Sequence, residues 1–309
     1  MPSMKSRLVI MMLKRGHLLQ GQLKRRTVID MNTSILDYRA ETDRAAGLIG
    51  KPPEGIDVVP VQIGDIYAEW IQPPQASHDK VILYFHGGGY VCGSCRGHRQ
   101  HVAKFVKGSG VPALLFEYRL APEHPYPAAL DDALAAYRWL LDQGTDPSRV
   151  VFAGDSAGGG LALATMLAAR DQGTPLPAGA AVLSPWTDLK CTGDSIRTKA
   201  KVDPFTPKGA WHVFSHYYTK GSDAGHPWIS PLYGDLSGLP PVLIAAGDCD
   251  GLFDDSTRFV EKAQQAGTDA TLIVGEGLFH CYPVCAPMFP EATQAMAQIC
   301  AFIAAHAAG

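Results

Sequence analysis

No apolar run in the chain approaches the roughly 20 residues that a helix needs to cross a bilayer, so no integral membrane segment is expected. Net charge is scarce as well. Against 27 Lys and Arg stand 30 Asp and Glu, a balance of −3, which gives no electrostatic ground for a nucleic-acid partner. No internal repeat or low-complexity tract is visible, which sets repeat arrays aside. Cysteine is sparse and odd in number, seven in all, without a repeating framework. That pattern speaks against a disulfide scaffold and for a reducing compartment. Lys5 and Arg7 ahead of Leu8–Leu13 imitate a secretion signal, but Lys14 and Arg15 end the run early and no small-residue cleavage site follows. The expected location is the cytoplasm.

What is present describes an ordinary globular protein. Its 309 residues, 46% hydrophobic, have room for one α/β domain with an added cap, or for two domains. Residues 1–50 are helix-like and carry seven basic residues before the first acid, Asp30; they end at Gly50-Lys51-Pro52-Pro53. This segment reads as a helical cap over the domain formed by residues 51–309, with a membrane-surface helix as the alternative. From Asp57 the pattern turns to strands. Val58–Ile63 and Ile66–Ile71 read as an antiparallel pair joined at Gly64-Asp65. Apolar runs suited to buried strands follow at Val81–Phe85, Ala113–Phe116, Val150–Ala153, Ala180–Leu183, Val242–Ala246 and Ala270–Val274. Helix-like segments near 97–108, 128–142, 157–171, 254–266 and 290–306 separate most of them, which argues a mostly parallel sheet flanked by helices. Residues 187–235, rich in Trp, His and Tyr, interrupt the alternation and are expected to complete the cap.

Gly154-Asp155-Ser156-Ala157-Gly158 lies where an apolar strand run meets an Ala- and Leu-rich helical run. A serine among small residues at a strand-to-helix turn is a nucleophile elbow, holding its hydroxyl at the carboxyl end of the sheet. Serine needs a base, and the chain order Ser, acid, His points to loops after late strands. Asp250 lies in the loop after Val242–Ala246, and His280 lies in the loop after the next strand. His280 would take the Ser156 proton while Asp250 holds its tautomer, with Asp248, Asp254 and Asp255 as competitors for the acid. His86-Gly87-Gly88-Gly89-Tyr90 follows the Val81–Phe85 strand. Three consecutive glycines there let backbone N–H groups approach a developing oxyanion, and the Ala157 N–H at the helix start is a further expected donor, with His86 structural. Arg119 and Glu123 are expected to pair within a proline-stiffened connection, and Asp155 to bond locally and hold the turn. Cys92, Cys95, Cys249, Cys281 and Cys285 crowd the same region; buried small hydrophobes are favoured over a zinc or redox centre.

These motifs, together with Tyr118-Arg119-Leu120-Ala121-Pro122-Glu123-His124-Pro125, resemble the bacterial hormone-sensitive-lipase-like (family IV) esterases of the α/β-hydrolase fold. The resemblance covers about residues 57–305. It implies a triad of Ser156, Asp250 and His280, an oxyanion hole from Gly87, Gly88 and Ala157, and a helical cap. It further implies hydrolysis of short-acyl carboxylic esters without any cofactor; a small-molecule ester is the expected substrate partner, and no metal is expected. A non-catalytic ligand receptor on the same scaffold, and an amidase or lactonase with the same triad, are the alternatives. A homodimer is left open.

Overall fold

The computed structural model describes residues 2–19, 28–46 and 53–309. The expected boundary at residues 50–52, like residues 20–27 of the expected cap segment, lies outside the described residues. Eight strands form one sheet: β1 (Asp57–Ile63), β2 (Ile66–Gln72), β3 (Val81–Phe85), β4 (Ala113–Phe116), β5 (Val150–Asp155), β6 (Gly179–Leu183), β7 (Val242–Gly247) and β8 (Ala270–Gly275). Their order is β1-β2-β4-β3-β5-β6-β7-β8. The hairpin pairs Ile63 with Ile66 antiparallel, β2 pairs antiparallel with β4, and every neighbour from β4 to β8 is parallel.

Alternation along each central strand divides the core in two. Val81, Leu83 and Phe85 face one layer, and Ile82 and Tyr84 face the other. The helices are α1 (Met4–Leu19), α2 (Ile35–Ala46), α3 (Cys95–Ser109), α4 (Ala128–Asp142), α5 (Ala157–Asp171), α6 (Ser195–Thr198), α7 (Ala210–Thr219), α8 (Phe253–Gln265) and α9 (Pro290–His306). α4, α5 and α8 supply Leu130, Leu161 and Phe259 to the first layer, while α3 and α9 supply Phe105 and Ile299 to the second. Helices on both faces of a parallel sheet leave the carboxyl ends of its strands free to build a site.

The residues outside this frame fall on either side of it. α1 rests on the α9 side, with Val9 buried and the Ser3 hydroxyl donating to Glu291 at 2.9 Å. α2 meets α7 across the carboxyl end of the sheet, where the Tyr38 and Phe214 rings lie 5.7 Å apart. One expected pair is corrected. Arg119 turns to Asp132 on α4, with Nε 2.9 Å and Nη2 2.8 Å from its oxygens. Glu123 instead receives Arg39 of α2 at 2.7 and 2.8 Å. Asp132 also accepts the Arg119 backbone N–H, so it captures residue 119 by two groups at once, an advantage Glu123 lacks.

Candidate active site

Ser156 stands between the end of β5 and the start of α5 with φ 55° and ψ −122°. A β-carbon in that region is strained, and the surroundings hold it there. Its N–H donates to Leu183 O at 2.8 Å and its carbonyl accepts from Trp186 N at 2.9 Å, tying both sides of the turn to the neighbouring strand and its exit. A side chain at Gly154 would stand 2.7 Å from Phe85 O, and one at Gly158 would collide with the carbonyls of Phe85 and His86. The two glycines of the elbow are therefore required by the close passage of β3.

The loop after β3 passes beside this turn. His86 is buried, stacks on Tyr118 with ring centroids 4.1 Å apart, and its Nδ1 lies 2.9 Å from Gly87 O. Burial, helped by the nearby His98, pushes its pKa down to about 3, so the ring is a neutral structural block. The expected donor Gly87 is corrected: its N–H donates to Asp155 Oδ1 at 3.1 Å and is not available to a substrate. Gly88 (φ 127°) and Gly89 (φ 63°) turn the next two amides the other way. Their N–H groups, like that of Ala157, find no acceptor among the described residues.

Asp155 does more than the local bonding expected of it. Besides Gly87 it accepts from the buried Tyr84 hydroxyl at 2.9 Å, joining β3, the glycine loop and the elbow. Burial alone would raise this carboxyl, but His98, His101 and the Tyr84 hydrogen bond hold it well below the usual carboxylate range.

The loop after β7 carries Asp250, which is fully buried, and both its oxygens lie 3.0 Å from His280 Nδ1. Leu252 N donates to the same carboxylate at 2.8 Å. Burial disfavours a charged His280, yet the Asp250 carboxylate more than compensates and raises its pKa well above the ordinary imidazole value. The competing acids have other tasks. Asp248 accepts Gly277 N at 2.6 Å and clasps the two loops together, Asp254 accepts Ser195 N at 2.8 Å, and Asp255 accepts Thr187 N at 2.9 Å.

Ser156, His280 and the glycines line one cavity of about 310 Å³, walled by Tyr38, Phe205, Trp211 and Phe214. The Trp211 ring meets the His280 ring edge-on at 5.6 Å. Aromatic residues of the segments expected as the cap do line the cavity, although neither Tyr38 of α2 nor Phe205 ahead of α7 carries a motif that singles it out. Asp203, which had no assigned role, is a buried carboxylate whose pKa is raised by burial and by the charge of Asp250. His98 and His101 of α3 also reach the cavity, and their i, i+3 spacing on one helix is a signal that the sequence does carry. All seven cysteines are free thiols. Burial pushes Cys285 and Cys300 up to about 11 and Cys92 up to about 12, the behaviour of small buried apolar groups.

A family model described as the alpha/beta hydrolase fold matches residues 82–284. An acetyl-hydrolase of Streptomyces hygroscopicus is 40% identical over 275 residues, covering 88% of this chain and 90% of that protein. An ethyl acetate hydrolase of Pseudomonas putida is 33% identical over 245 residues, covering 76% of this chain and 77% of that protein. Among solved structures, an esterase from the bacterial hormone-sensitive lipase family superposes with a TM-score of 0.88 at 38% identity, over 99% of each chain. EstE5 soaked with p-nitrophenyl butyrate superposes with a TM-score of 0.88 at 39% identity, over 99% of this chain and 100% of its own. The chain is a serine carboxylic ester hydrolase and belongs to the bacterial hormone-sensitive-lipase-like, family IV, esterases of the α/β-hydrolase fold.

Proposed function

We propose that this hydrolase works through Ser156, His280 and Asp250 and prefers esters of short acyl chains. The observation that carries the reading is the shared cavity: a strained serine and a histidine whose far nitrogen is fixed by a buried carboxylate line the same space. With Nδ1–H directed at Asp250, the lone pair of His280 Nε2 is free to take the Ser156 proton as Oγ attacks the acyl carbon. Negative charge grows on the former carbonyl oxygen, and the N–H groups of Gly88, Gly89 and Ala157 are the donors that meet it. Collapse breaks the bond to the alcohol oxygen, which receives the proton back from His280. Water, deprotonated by the same ring, then attacks the acyl-enzyme and releases the acid.

Residues 1–50 and 187–235 act as the cap in this proposal, supported by the Tyr38–Phe214 contact over the cavity. A space of about 310 Å³ behind four aromatic rings suits a small acyl group. The acetyl-hydrolase and ethyl acetate hydrolase relatives agree with that size. Cytoplasmic residence belongs to the same reading, supported by the odd cysteine count.

The test is a p-nitrophenyl ester series from acetate to palmitate, run on wild type and Ser156→Ala. Turnover should fall with acyl length and disappear in the variant. A best rate on palmitate would overturn the short-chain preference, and a Ser156→Ala enzyme of undiminished rate would overturn the nucleophile.

A further inference from the structure

α3 carries two histidines one turn apart, and neither has a part in ester hydrolysis as derived above. The ligand atoms of His98, His101 and Asp155 all lie within 4.8 Å of one another. His98 places Nδ1 2.9 Å from Ser94 O, so that nitrogen donates and Nε2 is left facing Asp155 Oδ1 at 3.8 Å. Asp155 favours positive charge at that nitrogen: it raises the His98 pKa against the effect of burial, so a proton, or a metal ion in its place, stands between the two groups. His101 Nε2 is buried and has no hydrogen-bond partner. A buried imidazole nitrogen without a partner calls for an explanation. The two rings meet edge to face at 4.6 Å, and both open into the cavity that Ser156 lines.

We propose that His98, His101 and Asp155 form a binding site for one divalent transition-metal ion, with Zn²⁺ the best match. Two imidazoles and a carboxylate supply three ligands, and the cavity leaves the fourth position to solvent, the pattern of open zinc sites. The supporting bonds are already in place. Ser94 O fixes the tautomer of His98, and Tyr84 and Gly87 orient Asp155, as outer partners do for metal ligands. Zinc–ligand bonds near 2.0 Å put tetrahedral ligands roughly 3.3 Å apart, so the rings close by about an ångström on binding. None of the cysteines belongs to this cluster. An ion here draws on the carboxylate that holds the glycine loop, so occupancy inhibits the neighbouring site.

The site stands independently of the esterase reading, and binding can be measured without turnover. Zn²⁺ is titrated calorimetrically into wild type, Ser156→Ala, His280→Asn and His101→Leu proteins. One ion per chain is expected in the first three. His101→Leu should weaken binding at least about tenfold, the loss that even an outer partner of a metal site brings. Equal affinity in His101→Leu, or loss of binding in His280→Asn, overturns the assignment. X-ray absorption of the zinc-loaded wild type decides the matter if a variant fails to fold. Nitrogen and oxygen neighbours at about 2.0–2.1 Å support the site, and sulfur at about 2.3 Å places the ion on a thiolate and refutes it.

Discussion

Replacing Asp155 with alanine leaves two buried donors, the Tyr84 hydroxyl and the Gly87 N–H, without their acceptor. An unsatisfied buried donor costs roughly 1–3 kcal/mol, and removing one partner from a buried charged cluster roughly 3–5 kcal/mol. We therefore expect Asp155→Ala to lose about 3–5 kcal/mol, read as a lower urea midpoint at unchanged slope. Tyr84→Phe should lose less, and the double variant less than the two single losses summed, because both act on one contact. Catalysis should suffer separately. The glycine loop that Asp155 anchors presents Gly88 and Gly89, and one such donor is worth roughly 10²–10³ in kcat. A kcat reduced by about that factor, with KM nearly unchanged on p-nitrophenyl butyrate, is the expected result. Acidity offers a further check. The Asp155 carboxyl is held below its unfolded value of about 3.9, so its contribution is present above that pH and lost as pH falls toward the folded value. The stability gap between wild type and Asp155→Asn should accordingly narrow from about pH 5 to about pH 3. A loss under about 1 kcal/mol with normal kcat would mean that the loop stands without the carboxylate.

Ser156→Ala and His280→Ala should each remove most of the rate, on the order of 10⁴-fold or more, and the double variant should lose little beyond either, since the three groups act as a unit. Asp250→Asn should lower kcat by about 10⁴. It also removes the carboxylate that raises His280, so the acid limb of the residual pH–rate profile should move to lower pH; an unmoved limb would refute the pairing. Gly158→Ala, whose methyl meets two backbone carbonyls, should yield little soluble protein, judged by expression beside the wild type. Phe214→Ala should raise the rate on octanoate relative to acetate by opening the cavity wall, measured with the same ester series.

The parts of this molecule that could be read from its sequence are those governed by neighbours along the chain. Continuous apolar runs gave away the buried strands, since both faces of a central strand are covered. The spans expected for α4, α5 and α9 coincide with the helices. α3 begins two residues before its expected start because Ser94 accepts Gly97 N and caps it. Ser156, Asp250 and His280 stood out because each follows a strand, where a parallel sheet gathers its loops. The errors are contacts chosen among distant competitors. Which glycine amide is free depends on Asp155 reaching back across β3 to Gly87, and Arg119 preferred a carboxylate 13 residues away to one four residues away. Tyr38 and Phe205 entered the cavity wall through tertiary packing, which no local pattern records.

Arg39 makes the amino-terminal segment more than a cover. From α2 it bonds Val91 O at 2.7 Å, Ala121 O at 2.8 Å and Glu123, so it grips the chain just beyond the glycine loop. The same helix supplies Tyr38 to the cavity. Shortening or exchanging the first fifty residues thus alters two properties together, the size of acid admitted and the steadiness of the amides that await the oxyanion. Variants selected for broader substrate range through this segment should arrive with slower turnover as a companion trait.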